Sequence, residues 1–361
     1  MEAPIPSQIT AILRGLVDPY LGKDLISAKI VQEIAIQEKN VIIRLQFPYP
    51  VGLRISQLKQ TISAIVTENW PGFEVMLHVQ SIIRRHKVQK GLKPKSDIKN
   101  IIAVASGKGG VGKSTVAVNL AVALQALGAK VALLDADIYG PSQPRMLGKK
   151  NERALTVDKK LIPINSFGIQ SISIGYLVDE LNAMIWRGPM VSSGLQQLLN
   201  DTAWEPCDYM IIDLPPGTGD IQLTLAQKVP ISGVVIVTTP QDIALIDARK
   251  AYKMFEKVEV PVLGVVENMS HHICTECGHK EDIFGSGGGE KMAQEFNIPV
   301  LGRLPLERRV RENSDAGLPI AAMDDPLANP YLEMAQKVAG VLAQREIDYT
   351  AAIGQIVLEP T

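Results

Sequence analysis

Gly107, Lys108, Gly109, Gly110, Val111, Gly112, Lys113, Ser114 and Thr115 have the types and spacing needed to hold a phosphate chain. Glycines let backbone N–H groups close around an anion, because side chains would block the approach and the turn needs unusual dihedrals. Lys113 carries a point charge toward the β- and γ-phosphates, and the Ser114 hydroxyl can ligate Mg²⁺. The apolar run 101–105 precedes this loop, and Val116, Ala117, Leu120, Val122, Ala123 and Leu127 follow it at helical spacing. A strand, a glycine turn and a helix make the context of a P-loop, where the helix N-terminus adds a favourable dipole. Lys108 is the unusual residue: a second lysine inside the loop marks a deviant subclass.

Carboxylates fall where such a loop needs them. Asp135 and Asp137 end an apolar run in Leu134-Asp135-Ala136-Asp137-Ile138-Tyr139-Gly140-Pro141-Ser142. Two residues apart on an extended chain, both are expected to face the phosphates, one holding the Mg²⁺ shell and one orienting the attacking water. Asp213 closes the apolar strand Tyr209-Met210-Ile211-Ile212 and leads into a turn with Gly217 and Gly219, as a Walker B acid does. Asn268, just past the run 262–266, could read adenine through amide donor and acceptor. Asparagine is also common in ordinary turns.

Cys274-Thr275-Glu276-Cys277-Gly278-His279 is a second constellation, with His271 and His272 close by. Two thiolates at this spacing can chelate one metal ion or hold one side of a cluster. One pair leaves a four-thiolate site half complete, and two chains on a two-fold axis would complete it. Zinc with Cys₂His₂ ligation, a redox dithiol and two inert loop cysteines are the other readings. Cys207 reads as a buried apolar residue at a strand start. Gly285-Ser286-Gly287-Gly288-Gly289-Glu290 lacks a lysine and reads as a flexible turn opening the next helix.

These residues must be positioned by an α/β framework. Strands are expected at 101–105, Val131–Asp135, 209–214, 234–238, 262–266 and 300–304, with helices at Asp220–Lys228, Asp242–Lys257, Gly288–Phe296 and 327–343. Continuous Val/Ile/Leu strands between helices imply a mostly parallel, doubly wound sheet that binds ligands at its carboxyl edge. Residues 1–83 form a small α/β N-terminal domain: Ile43, Leu45 and Phe47 alternate with Arg44 and Gln46, as do Val75, Leu77 and Val79 with Met76 and His78. Ile55, Leu58, Ile62 and Ile65 give one apolar helix face there. Residues 84–99 hold seven basic residues against one acid and read as a solvated basic linker. The large domain then spans 100–346, and 347–361 is a C-terminal tail.

With 46% hydrophobic and 21% charged residues the chain has the composition of an ordinary soluble globular protein, and a net charge of −1 gives no global drive toward nucleic acid or anionic membrane. No apolar run approaches the ~20 residues of a membrane span. The first residues lack the basic-then-apolar pattern of a secretion signal, and three cysteines cannot make a disulfide framework, so a cytoplasmic setting is expected.

Taken together these motifs resemble the Mrp/ApbC family of iron–sulfur carrier ATPases, in the deviant-Walker P-loop NTPase branch that also holds MinD and the nitrogenase iron protein. The resemblance covers essentially the whole chain, including Asp18-Pro19-Tyr20-Leu21-Gly22-Lys23-Asp24, Trp186-Arg187-Gly188-Pro189-Met190 and Glu267-Asn268-Met269-Ser270. It implies a homodimer sandwiching ATP and Mg²⁺, with a [4Fe–4S] cluster bridged by Cys274 and Cys277 of both chains and passed between a scaffold and apo-proteins. In that frame Lys108 reaches the partner chain's phosphates, Asp137 positions water, Asp213 is the Walker B acid and Asn268 reads adenine. Related N-terminal domains often carry a cysteine after the second strand; the stretch 48–56 has none, which suits a docking module.

Two rival readings share the P-loop. A positional switch like MinD or ParA would need a basic amphipathic C-terminal helix or a basic surface, and residues 347–361 contain no lysine or arginine. An electron-transfer ATPase like the nitrogenase iron protein takes its bridging cysteines from two separated segments, whereas one CxxC pair stands here.

Overall fold

The computed structural model describes residues 3–52, 54–178, 188–274 and 276–350, with the side chains of residues 188 and 189 excepted. Trp186, Arg187 and the tail residues 351–361 lie outside that set. Among the described residues no helix is long and apolar enough to cross a membrane.

The N-terminal unit comprises α1 (Pro6–Arg14), β1 (Val31–Gln37), β2 (Asn40–Phe47), α2 (Arg54–Asn69) and β3 (Glu74–Ser81). β2 pairs antiparallel with β1 and parallel with β3. Val41, Ile43, Leu45 and Phe47 are at most 2% exposed, so the period-two pattern does set the inner face. The α2 face is rotated from the expected one. Ile62 and Val66 are buried with Leu58 packed beside them, a spacing of four, while Ile55 is left in solvent.

The large unit runs β4 (Ile98–Ser106), α3 (Lys113–Ala126), β5 (Val131–Asp135), α4 (Gln143–Met146), β6 (Ile164–Ser166), β7 (Ile169–Ser173), α5 (Gly188–Asn200), β8 (Cys207–Asp213), α6 (Asp220–Lys228), β9 (Gly233–Thr238), α7 (Asp242–Lys257), β10 (Val262–Glu267), a hairpin of β11 (His272–Ile273) and β12 (Lys280–Glu281), α8 (Gly288–Phe296), β13 (Val300–Arg303), α9 (Arg308–Asp315) and α10 (Asn329–Ala343). Eight strands form one sheet in the order β6-β7-β5-β8-β4-β9-β10-β13, parallel except for the β6–β7 pair. β6 and β7 carry Asn165, Ser166, Gln170, Ser171 and Ser173 and give no apolar run, which is why they escape a pattern reading. Ser171 and Ser173 are buried all the same, with Ser171 Oγ bonded to the Ile164 carbonyl at 2.9 Å.

α3 is apolar on every side because it is covered on every side. Residues 116–124 are all buried, between the sheet and α10. Each large aliphatic side chain buried there contributes about 1.5–3 kcal/mol. The one polar member, Asn119, donates to the Thr115 carbonyl and accepts from the Ala321 N–H, both at 2.9 Å.

The two units share one hydrophobic core. The Tyr20 hydroxyl donates to Gln336 of α10 at 2.7 Å, and the Gly52 N–H donates to the Leu127 carbonyl at the end of α3 at 3.2 Å. The basic stretch between them is a strap rather than a solvated linker. His86 and Gln89 are 3% and 7% exposed. Gln89 donates to the carbonyls of Ala226 and Val229 and accepts from the Ile231 N–H. His86 bridges antiparallel to Ile347. Lys87, Lys90, Lys93 and Lys99 do face water, so composition described one side of the strap and missed the side that packs.

Candidate functional site

The carboxyl ends of β4, β5, β8 and β10 converge on the turn between β4 and α3. Two glycines there are fixed by close approaches. A Cβ on Gly107 would lie 2.1 Å from the Asp247 carbonyl carbon of α7, and one on Gly112 would lie 2.2 Å from Asn268 Nδ2, with Gly112 at φ +82°. A cleft of about 270 Å³ opens over the loop, lined by Lys108, Gly109, Gly110, Gly112, Lys113, Ser114 and Thr115, with Asp137, Ser142 and Pro216 opposite.

Lys113 is buried and points at two carboxylates. Its Nζ pairs with Asp213 Oδ1, lies 4.0 Å from Asp137 Oδ2 and reaches Ser114 Oγ at 3.4 Å. Asp213 is fully buried, and its second oxygen accepts from Gln143 Nε2 at 2.8 Å. Gln143 also donates to the Ser114 carbonyl at 3.1 Å, tying α4 to the loop. Sequence reasoning missed Gln143, a polar residue in a four-residue helix whose only signal is its position after Gly140-Pro141-Ser142.

Asp135 does not face the phosphates as expected. β5 ends at Asp135, the alternation stops, and the side chain turns under the following loop. Its oxygens accept from the Asp137 N–H at 3.2 Å, the Gln143 N–H at 3.1 Å and Ser173 Oγ at 3.0 Å. Burial, then the Asp213 charge, pushes its pKa up from 3.8 to about 7. An acid whose pKa rises on folding stabilises the fold while protonated. That contribution is present below about pH 4 and is lost as pH climbs through about 7. Urea midpoints of the nucleotide-free protein should therefore fall between pH 4 and 7 relative to those of Asp135→Asn. Parallel pH profiles would count against it. Burial also raises the Asp137 carboxyl, with Lys113 opposing.

Asn268 sits behind the loop, 6% exposed, with Nδ2 donating to the Val111 carbonyl at 2.9 Å. The neighbouring Glu267 accepts from the Gly289 N–H at 2.5 Å, so the glycine-rich turn before α8 is tied to β10. Ser142 Oγ and Gln143 Oε1 are buried without a hydrogen-bond partner among the described residues. Orphaned acceptors beside a cation-lined glycine cradle suit a phosphate chain and a hydrated divalent ion.

The cysteines lie on the β11–β12 hairpin, which begins four residues after Asn268. The Cys274 N–H donates to the His279 carbonyl and the Gly278 N–H to the Cys274 carbonyl, both at 2.9 Å, closing a tight knuckle. N–H groups of Cys277 and Glu276 and the Cys277 thiol hold the Cys274 thiol below its usual range. Cys274 is half-buried and Cys277 exposed. His271 Nδ1 bonds Ser270 Oγ at 2.8 Å and His272 Nδ1 faces the Leu306 carbonyl at 3.0 Å, so each ring is oriented by its Nδ1. Among the described residues no three His, Cys, Asp or Glu side chains gather into a metal site. Thr275 lies outside the described residues. Cys207 is buried, its thiol pushed up to about 12 by burial.

Comparison with known proteins follows this geometry. A family model described as NUBPL iron-transfer P-loop NTPase matches residues 97–339, and one described as iron-sulfur cluster assembly protein matches residues 6–76. The iron-sulfur cluster carrier protein of Haemophilus influenzae is 49% identical over 349 residues, covering 94% of this chain and 92% of its own. A nucleotide-binding protein from Archaeoglobus fulgidus, solved in complex with ADP, is 38% identical with a TM-score of 0.56, covering 64% of this chain and 90% of its own. The cell division ATPase MinD of Pyrococcus furiosus, at 21% identity and a TM-score of 0.50 over 66% of this chain and 98% of its own, shares the fold.

Proposed function

Because this chain belongs to the NUBPL iron-transfer P-loop NTPase family, we propose that it is an ATP-dependent carrier that binds a [4Fe–4S] cluster at a homodimer interface and delivers it to apo-proteins. The observation that carries this reading is the two-cysteine knuckle, with Cys274 half-buried and Cys277 exposed, on a hairpin rooted beside the phosphate loop. One chain offers two cysteines, and among the described residues no third His, Cys, Asp or Glu gathers with them, which favours a four-thiolate site made by two chains over zinc held as Cys₂His₂ within one. Ile273 and Ile283, 43% and 50% exposed at the hairpin, suit coverage by a second copy.

In the nucleotide site Lys113 leaves Asp213 for the phosphates, while the loop N–H groups bind them. Ser114 and Asp213 would hold Mg²⁺, which supplies charge neutralisation of the transferring phosphoryl group. Asp137 orients water at the cleft wall. Asn268, with one amide hydrogen on Val111, reads adenine through the rest of its carboxamide. Lys108 reaches across to the partner chain. Domain limits of 1–83, 84–99, 100–346 and 347–361 go with this reading, as do a cytoplasmic setting and a cluster scaffold as donor.

Anaerobic reconstitution with iron and sulfide tests it. Wild type should bind close to one four-iron cluster per dimer, and Cys274→Ala/Cys277→Ala should lose the visible absorbance while still binding ADP. Equal iron and sulfide in both proteins would refute the bridging site. Zinc rather than iron in protein purified without added metal would favour a zinc-bridged dimer.

A further inference from the structure

A larger cavity, about 410 Å³, lies away from the phosphate loop where the N-terminal unit, the strap and the end of α10 meet. It exists because those three pieces dock, and such junctions are favoured places for small-molecule sites of this size. One wall is apolar, formed by Phe47, Ile82 and Ile347. Three cations stand around it: Lys23 and Lys29 from the N-terminal unit and Arg84 from the strap.

None of the three forms an ion pair among the described residues. Two acids next to cavity-lining residues, Asp24 beside Lys23 and Glu346 beside Ile347, are engaged elsewhere. Asp24 accepts from the N–H groups of Ile26 and Ser27 at 2.9 and 2.8 Å, and Glu346 pairs with Lys87 at 2.6 Å. The strap is also held in place. Asn100 Nδ2 donates to the Arg84 carbonyl at 2.8 Å, and Asn100 Oδ1 accepts from the His86 N–H at 3.1 Å. His86 lines the cavity at 3% exposure, its imidazole held below the usual range by burial, with Arg345 and Arg84 adding to that. The cavity therefore combines an apolar wall with three cations that form no ion pair among the described residues.

We propose that this cavity binds a small organic anion, an apolar body carrying a phosphate or carboxylate head. The body lies against Phe47, Ile82 and Ile347, and the head is taken by Lys23, Lys29 and the Arg84 guanidinium, whose fork suits either oxyanion. A bound anion would pair with these cations and join the N-terminal unit to the strap.

The inference does not rest on the cluster-carrier reading, and its test leaves that site alone. The full-length protein, with its phosphate loop saturated by ADP and Mg²⁺, is titrated calorimetrically with phenyl phosphate, benzoate and phenol. At least one of the anions is expected to bind with a Kd of roughly 1 mM or below, and phenol not measurably. Lys23→Ala/Lys29→Ala/Arg84→Ala should weaken that binding by about tenfold or more, with ADP affinity unchanged. The tighter of the two anions identifies the head group. Absence of binding by both, equal binding of phenol, or an unaffected triple variant would each overturn the proposal.

Discussion

Lys108→Ala is expected to bring ATP turnover to background while ATP and ADP still bind within about tenfold of wild type. The two loop lysines are in different electrostatic positions. Lys113 is buried and spends its charge on Asp213 of its own chain, whereas Lys108 is half-buried at the cleft and forms no ion pair among the described residues. Its charge is available to a phosphate chain on a facing copy. A cation delivered to the transition state from a second chain is worth roughly 10³–10⁵ in rate in related phosphoryl transfer. Nucleotide binding survives because Lys113 and the glycine N–H groups remain. Steady-state phosphate release together with calorimetric ADP binding separates the two effects. Turnover unchanged in the variant would remove the two-chain arrangement of the site.

Asp18→Ala should destabilise the protein by about 3–5 kcal/mol, the largest stability change expected of a single substitution here. Asp18 is 1% exposed and fully used. One oxygen accepts from the N–H groups of Tyr20 and Leu21 at 3.0 and 2.9 Å; the other accepts from the Tyr49 hydroxyl at 2.5 Å and from Arg54 at 2.9 Å. Removing it leaves the Arg54 guanidinium, 5.0 Å above the Tyr20 ring, without its carboxylate in a largely buried site. Tyr20 also bonds α10, so the loss reaches the seam between the units. Denaturant unfolding reads the change. Asp18→Asn, which keeps an acceptor for the backbone N–H groups, should lose less. Equal midpoints for Asp18→Ala and wild type would show that the buried pair contributes nothing net.

Much of this was legible in the sequence, for reasons that can be named. Val131–Asp135, Asp220–Lys228, Asp242–Lys257 and Gly288–Phe296 have the expected limits because apolar period and end signals agree there. The phosphate loop, Asp137 and Asp213 come together because all sit at carboxyl ends of adjacent parallel strands, where position in a motif translates directly into position in space. What pattern could not reach depends on partners distant in sequence. β6 and β7 are polar strands stabilised by a neighbouring strand, Gln143 acts through Asp213 seventy residues away, and the strap is buried by two residues, His86 and Gln89, within a charged run. Asp135 misled because spacing along a strand says nothing once the strand has ended.

The ion pair between Lys113 and Asp213 spends the charge of this loop lysine within its own chain. An anion that drew Lys113 away alone would strand a fully buried carboxylate, a penalty of several kcal/mol that its own attraction to the lysine would have to overcome. Gln143 could soften that loss with a dipole and could not cancel it. On the proposed roles, occupation of the loop is a salt metathesis: one internal pair is exchanged for two, phosphate with Lys113 and divalent cation with Asp213. Selection of the metal-bound nucleotide over the bare one would then be built into ground-state binding, before any bond to phosphorus is touched.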